Sequence, residues 1–158
     1  MKKKIFTFLL FLFLSSCGYE AIYSLKNRAS YAFQISKLEL SGDRQVNLKM
    51  KQILSSYSNP NIAIEDGKIF ELKISSKSEK IATTKNASGD ATQFKNEITI
   101  KVQVTMNASV KATFSIKENF IYNNNSNTSE LKAYENDIKN DLTEAATEKI
   151  IFKLAHTK

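Results

Sequence analysis

The residue with the clearest chemical role is Cys17, the only cysteine of the chain. It directly follows Leu14-Ser15-Ser16, at the end of an apolar run that begins at Ile5, after the basic start Met1–Lys4. The run is about half the roughly 20 residues that a membrane-spanning helix needs, so we expect residues 1–16 to be a removed secretory signal. A thiol just past such a run lies at the membrane surface and can be acylated there. The pattern predicts a mature chain that begins at an acylated Cys17, each buried methylene contributing about 0.8 kcal/mol to anchoring.

The alternative for Cys17 is a free thiol that happens to follow a secretory signal. The small residues before it and Gly18 after it favour acylation. Glycine at position 18, where aspartate would be the other sorting residue, resembles lipoproteins that are exported to the outer membrane. Because Cys17 has no second cysteine to pair with, no intramolecular disulfide is possible.

No other residues form a recognisable catalytic or metal-binding set. His156 stands alone near the C-terminus, where we expect it to be exposed, and one histidine with an acylated cysteine cannot build a metal site. Glu65-Asp66 precede Gly67 and are typical of a turn more than of acid–base chemistry. The single histidine also argues against a Ser/His/Asp set. We therefore expect a protein that is not an enzyme and that uses no metal and no cofactor.

The charge balance excludes nucleic acid as an expected partner. The chain has 23 basic and 16 acidic side chains, for a net charge of +7. Removal of residues 1–16 takes away Lys2, Lys3 and Lys4, which leaves 20 basic side chains and a balance of +4 over the remaining 142 residues. No basic block interleaved with exposed aromatic residues remains. A chain of this length predicts one ordinary domain.

Four segments carry the alternation of apolar and polar residues that is typical of half-buried strands. They are Ala32–Leu40, Lys68–Ser76, Asn96–Met106 and Val110–Tyr122. Two turns, at residues 87–90 and 106–109, connect the last three segments into hairpins. Glu118 falls on the apolar side of the fourth segment, which predicts a bulge there or a strand that leaves the core.

Two further segments have helical periodicity. The first runs from Arg44 to about Tyr57, with N-cap candidates in Ser41-Gly42-Asp43. The second runs from Glu130 to about Ala155, with N-cap candidates Thr128 and Ser129. Its expected apolar stripe consists of Leu131, Tyr134, Ile138, Leu142, Ala145 and Phe152, widened near the end by Ile150, Ile151 and Leu154. We expect the C-terminal part of this helix to be the more deeply covered.

This order of elements predicts an α+β fold. We expect a two-layer sandwich in which two helices pack on one face of an approximately four-stranded, mostly antiparallel sheet. Residues 17–30 form a lipidated tether with a short extended lead, and residues 31–158 form the single domain. Tyr19 and Tyr23 in the lead either pack on the first strand, which we favour, or contact the membrane interface. The other sheet face should be polar.

The whole layout resembles the LPS-assembly lipoprotein LptE family. The similarity lies in the segment LSSCGYEAIYS at residues 14–24, in the strand Ile35–Leu40 before the first helix, and in Ser88-Gly89-Asp90-Ala91 followed by the alternating strand Glu97–Met106. It continues in the block from Tyr134 to Leu154. The resemblance covers essentially the whole mature chain and implies a single LptE-like α+β domain.

The resemblance also implies a function and partners. It implies an outer-membrane lipoprotein, anchored on the periplasmic side, that plugs and helps to assemble the β-barrel lipopolysaccharide translocon LptD. In this setting Lys85 and Lys95, near the end of the predicted hairpin, are the candidate lipopolysaccharide contacts. Lysines along that hairpin have two interpretations, a solvated strand face or a patch for anionic lipid head groups. They are Lys73, Lys77, Lys80, Lys85, Lys95 and Lys101.

Two other functions stay open at this point. One is an accessory lipoprotein of a phospholipid transport system, similar to the PqiC family. The other, which we favour less, is a secreted hydrolase whose site is not recognisable. Co-purification with a β-barrel protein or with an inner-membrane transporter component would separate the two transport functions.

Overall fold

The computed structural model describes residues 33–58 and 67–157. The predictions for the signal at residues 1–16, for the acylated Cys17, for the tether at 17–30 with Tyr19 and Tyr23, and for the turn at Glu65-Asp66 lie outside these residues.

The described residues form one mixed sheet and two helices. In chain order the elements are β1 (Phe33–Gly42), α1 (Arg44–Leu54) with a 3₁₀ turn (Ser55–Tyr57), β2 (Lys68–Lys85), β3 (Ala91–Met106), β4 (Ser109–Asn123) and α2 (Thr128–His156). The strands lie in the order β1-β2-β3-β4. β1 and β2 are parallel, and the other two neighbouring pairs are antiparallel. The structure thus confirms the α+β fold with a mostly antiparallel four-stranded sheet and two helices.

The core lies between the helices and one face of the sheet. Because side chains alternate along a strand, each strand contributes every second residue to this face. The buried apolar residues of the sheet are Phe33, Ile35, Phe70, Leu72, Ile74, Ile98, Ile100, Val102, Val104, Ile116 and Tyr122. Those of the helical layer are Val46, Met50, Leu54, Tyr57, Ile138, Ala146, Ile150, Ile151 and Leu154. Phe33 stacks on Tyr57, with 5.0 Å between the ring centroids, where β1 begins.

The junction between β1 and α1 depends on a glycine and a capping aspartate. Asp43 accepts a hydrogen bond from the backbone N–H of Val46 at 3.0 Å, which confirms the predicted N-cap region. Gly42 has φ +98°, and a Cβ there would lie 1.9 Å from the carbonyl oxygen of Ser76. Only glycine therefore fits this close approach of β1 to β2. The Ser76 hydroxyl donates to Asn47 Oδ1 at 2.8 Å, which joins α1 to β2.

The β2–β3 hairpin is longer than the alternating pattern predicts. β2 continues nine residues past Ser76, to Lys85, and the turn between the strands occupies residues 86–90. From Ile81 to Asp90 every side chain is exposed, so burial alternation ends while the backbone pairing continues. The β3–β4 hairpin closes at Asn107-Ala108, which have φ of 52° and 58°, as a tight two-residue turn requires.

Glu118 does not mark a bulge, so this alternative of the prediction is wrong. β4 stays in register there, with Glu118 opposite Ile98, and the register of this pair shifts only between Val104 and Thr105. The register places Glu118 on the helix side of β4, where its carboxylate pairs with Lys149 of α2. A charged residue on an apolar register is tolerated when a partner from the facing layer reaches it.

The start and the buried face of α2 differ from the prediction. The N-cap is Asn127, whose side chain accepts from the N–H groups of Ser129 and Glu130, so neither Thr128 nor Ser129 is the cap. The two aromatic residues of the expected stripe, Tyr134 and Phe152, are 47% and 58% exposed.

Two threonines, and not those aromatic residues, lie on the buried side of α2. Thr143 and Thr147 are fully buried, and each hydroxyl donates to the carbonyl four residues earlier. This local bond removes most of the cost of burying a hydroxyl, and a polarity pattern alone does not reveal it. The deeper cover at the C-terminal end, marked by Ile150, Ile151 and Leu154, agrees with the prediction.

Candidate functional site

The sheet face opposite the helices is polar, and we call it the open face. No described element packs on it. It carries lysines on all four strands and glutamates on β1, β2 and β3: Lys37, Glu39, Glu71, Lys73, Lys77, Glu79, Lys95, Glu97, Lys101 and Lys117. The lysines exceed the glutamates on this face, so it is mixed in charge with a small positive excess. Such a face suits contact with a polar or hydrated partner surface more than with an apolar one.

Five of these residues occupy neighbouring positions on β2, β3 and β4 and form three ion pairs, and we call them the charge ladder. Lys77 pairs with Glu79 at 2.8 Å, and Glu97 pairs with Lys95 at 3.0 Å and with Lys117 at 2.7 Å. Glu79 lies directly opposite Glu97. The two carboxylates are neighbours, and the three lysines offset their repulsion.

Glu97 is the centre of the charge ladder. Its side chain is only 8% exposed although it lies on the open face. Hydrogen bonds from Lys117 and then from Lys95 hold the pKa of this carboxyl below its usual value. Glu97 therefore stays ionised at neutral pH and fixes both lysine side chains. Lys95 and Lys117 thus meet at one carboxylate, so this part of the open face presents charges of both signs.

A second polar cluster joins the hairpin to α2 on the helix side. The Tyr122 hydroxyl donates to Glu135 Oε1 at 2.8 Å, and Lys80 Nζ lies 2.5 Å from the same oxygen. Lys80 also lies 3.9 Å from the centroid of the Phe94 ring. Burial, and then Glu135, raise the pKa of Tyr122. The cluster holds α2 against β2 and β4. The sequence pattern does not predict this cluster, because its members are up to 55 residues apart.

The two candidate lipopolysaccharide contacts occupy different positions. Lys85 is exposed at the last position of β2, opposite Ala91, and makes no ion pair within the described chain. Lys95 lies four residues further along β3, opposite Ile81, and its ammonium group is bound to Glu97. The two side chains therefore do not form one cluster at the turn. Lys80, expected on the same hairpin surface, points to the helix side and contacts Glu135.

The remaining candidate for chemistry, His156, is exposed at the end of α2, as expected. Its ring lies 4.3 Å from the Phe152 ring, between centroids, and Nδ1 is 2.7 Å from the Phe152 carbonyl oxygen. Within residues 33–58 and 67–157, no group of three or more His, Cys, Asp or Glu side chains could hold a metal ion. Neither α1 nor α2 is both long and apolar enough to cross a bilayer.

Comparison with known proteins identifies proteins that share the fold of this chain. No protein-family model matches the chain, and no curated protein matches it. Solved structures of bacterial lipoproteins do match. Rare lipoprotein B from Shewanella oneidensis has a TM-score of 0.52 at 16% identity, over 76% of this chain and 94% of that chain. The fold is one that bacterial lipoproteins have.

Two further lipoproteins support this assignment. Lipoprotein B from Nitrosomonas europaea has a TM-score of 0.56 at 14% identity, over 78% of this chain and 83% of that chain. A minor lipoprotein from Acinetobacter baumannii has a TM-score of 0.51 at 10% identity, over 78% and 93%. At these identities the similarity establishes a shared architecture.

Proposed function

We propose that the chain is a lipid-anchored outer-membrane protein of the LptE type. In this proposal the acylated Cys17 holds the domain on the periplasmic side of the membrane. The domain occupies the lumen of the β-barrel translocon LptD, assists the assembly of that barrel and takes part in the insertion of lipopolysaccharide into the outer leaflet. The protein acts through shape and binding, and not through catalysis.

The observation that carries the proposal is the polar open face. A domain inside a large barrel meets a hydrated, polar lumen, so its outer surface must be polar on the sheet side as well as on the helix side. The open face meets this requirement with ten charged side chains on four strands. Five of them form ion pairs within the charge ladder. The fold shared with bacterial lipoproteins and the sequence around Cys17 support the same function.

Co-purification from the native membrane tests the proposal. The acylated protein, carrying a C-terminal affinity tag, is captured from detergent-solubilised outer membranes, and its partners are identified by mass spectrometry. We expect a β-barrel protein in a stoichiometric amount. Cys17→Ser is the matched control, because it removes the acylated thiol and leaves the domain unchanged. Capture of an inner-membrane transporter component without a barrel would support the phospholipid-transport alternative and contradict the proposal.

Lipopolysaccharide contact is tested separately at Lys85 and Lys95. Lys85→Glu reverses an exposed charge, so we expect weaker binding of lipopolysaccharide to the purified protein without loss of stability. Lys95 needs a neutral replacement such as Lys95→Met, because a glutamate there would lie beside Glu97. Lys51→Glu, an exposed change on α1, is the control. Unchanged binding in both hairpin variants would remove these residues from the proposed site.

A further inference from the structure

Lys101 differs from the other lysines of the open face. It is exposed on β3 and forms no ion pair with a described residue. Each of the other five lysines lies beside a glutamate of the same face. These neighbours are Lys37 with Glu39, Lys73 opposite Glu39, Lys77 with Glu79, and both Lys95 and Lys117 with Glu97.

The positions around Lys101 hold hydroxyl groups and positive charge. Ser75 on β2 and Ser115 on β4 lie directly opposite it. Because side chains alternate between the two faces, the next open-face positions are two residues away along each of the three strands. These positions hold Lys73, Lys77, Thr99, Gln103, Thr113 and Lys117. The eight neighbours of Lys101 thus include three lysines and no carboxylate.

This arrangement favours an anion beside Lys101. Diagonal neighbours on a sheet are about 7–8 Å apart, so the three neighbouring lysines raise the positive potential at this position. Glu97 lies four residues away on the same strand, at about 13 Å between Cα atoms. Glu39 lies two strands away, at about 12 Å. The nearest carboxylates of the open face are therefore farther from Lys101 than the three lysines are.

Contact with a partner makes this lack of a counter-charge costly. In the proposed function the open face meets the wall of the barrel lumen, and water is displaced from around Lys101. Removal of water from an unpaired ammonium group is unfavourable unless an anionic group takes its place. Lys95 and Lys117 carry a counter-charge of their own in Glu97. Lys101 has none beside it on this face, so its counter-charge must come from the partner.

We infer that Lys101 binds a carboxylate of the barrel partner, supplied by an aspartate or glutamate on the wall of the lumen. Ser75 and Ser115 are short and exposed, so they leave space beside the Lys101 side chain on both neighbouring strands. Their hydroxyl groups can donate hydrogen bonds to the same carboxylate. The inference rests on the proposed function. It adds the chemical identity of the partner group and the residue that this group meets.

Carbodiimide coupling identifies the partner group. This reagent joins a lysine amine to a carboxylate through an amide bond without a spacer, so it reports only groups in contact. The acylated full-length protein is captured with its barrel from outer membranes, treated with the reagent, digested and analysed by mass spectrometry. We expect a peptide containing Lys101 joined to an acidic residue of the barrel. The Lys117–Glu97 pair, 2.7 Å apart within the chain, is the internal control for the coupling reaction.

Two substitutions test whether the positive charge of Lys101 holds the barrel. Lys101→Met removes the ammonium group and leaves the partner carboxylate without a counter-charge. The captured barrel should then dissociate faster by on the order of thirtyfold, measured in the presence of excess untagged wild-type protein. Lys101→Arg is the matched control, because it keeps the charge. We expect it to keep a dissociation rate close to that of the wild type and to lose the coupling product, since a guanidinium group does not form the amide.

The outcomes separate this inference from the proposed function. Capture of a barrel without a Lys101 product, while the Lys117–Glu97 product forms, would overturn the inference and leave the proposed function intact. An adduct of Lys101 with a lipid phosphate, distinguished by its mass, would overturn it as well. Equal dissociation rates for Lys101→Met and the wild type would do the same. Capture of no barrel by the wild-type protein would contradict the proposed function, and the inference with it. The wild-type coupling result stands even if a variant folds poorly.

Discussion

At the scale of single residues, Gly42 lies between β1 and α1 and has no room for a side chain. Its positive φ is shared by Gly89 in the hairpin turn, but the surroundings of the two glycines differ. A Cβ at position 42 would overlap the Ser76 backbone, whereas nothing lies within 4 Å of the corresponding point at Gly89. Substitutions at Gly42 and Gly89 therefore separate two free-energy costs. One is the cost of a positive φ, and the other is the cost of a steric clash with a neighbouring strand.

Alanine at these two positions should therefore have unequal effects. Gly89→Ala adds only backbone strain, so we expect a loss of about 1–2 kcal/mol in the free energy of unfolding. Gly42→Ala adds a clash that the backbone of β2 must relieve, so we expect a loss of more than about 3 kcal/mol. Urea denaturation of both variants measures the difference. Equal losses would mean that β1 and β2 do not approach each other as closely as described.

Asp43 makes a contribution that depends on pH. Partial burial raises the pKa of its carboxyl, but hydrogen bonds from the Val46 N–H and from Lys139 outweigh this and hold the pKa below the usual 3.8. A carboxyl with a lowered pKa in the folded state stabilises the fold above the pKa of the unfolded state. This contribution is lost as the pH falls through the lower pKa of the folded state.

Two substitutions separate the cap of Asp43 from its charge. Asp43→Ala removes the cap, so we expect a loss of about 1–2 kcal/mol at pH 7. Asp43→Asn keeps a good capping residue and loses only the charge that faces Lys139, so its loss should be smaller and should vanish as the pH falls below 3.8. Thermal unfolding between pH 7 and pH 3 measures both. A gap between wild type and Asp43→Asn that does not change with pH would contradict the role of the charge.

At the scale of elements, sequence periodicity predicts the four strands and their order along the chain. It does not predict the buried face of every element. Ile98, Ile100, Val102 and Val104 alternate strictly, and all four are buried as predicted. A strand has only two faces, so alternation decides which one is buried. The extension of β2 to Lys85 could not be predicted in this way, because its last residues pair with β3 while both their faces are exposed.

The buried face of α2 is harder to predict, because a helix can rotate about its axis with small changes in polarity. Tyr134 and Phe152 are exposed, while Thr143 and Thr147 are fully buried. The direction of the face depends on where the helix crosses β3 and β4. The contacts that fix it, such as Tyr122 with Glu135 and Glu118 with Lys149, join residues distant in sequence. The charge ladder could not be predicted for the same reason, although the alternation of its charged residues was visible.

Two residues near the end of α2 test this rotation. Leu154 is fully buried, so Leu154→Ala should cost about 2–5 kcal/mol in the free energy of unfolding. Phe152 is larger but mostly exposed, so Phe152→Ala should change it by no more than about 0.5 kcal/mol. Chemical denaturation of the two variants gives the comparison. A larger loss for Phe152→Ala than for Leu154→Ala would contradict this orientation of α2 and support the buried stripe that periodicity predicts.

At the scale of the whole molecule, the two faces of the sheet differ. The helices cover one face, and the open face carries six lysines and four glutamates, some of them held in ion pairs. In the proposed function this open face meets the hydrated lumen of the barrel.

The barrel contact can be tested by one charge on the open face and one on the helical layer. Lys101 is exposed on β3, between Ser75 and Ser115, and forms no ion pair within the described chain. Lys132 is equally exposed on α2 and likewise makes no ion pair with a described residue. Reversal of either charge should change stability by less than about 0.5 kcal/mol, because no partner is lost. Lys101→Glu removes a positive charge from the surface that would face the lumen. We expect it to reduce the amount of barrel protein that co-purifies, while Lys132→Glu leaves that amount close to the wild-type level. Equal recovery from both variants would show that the open face does not meet the barrel.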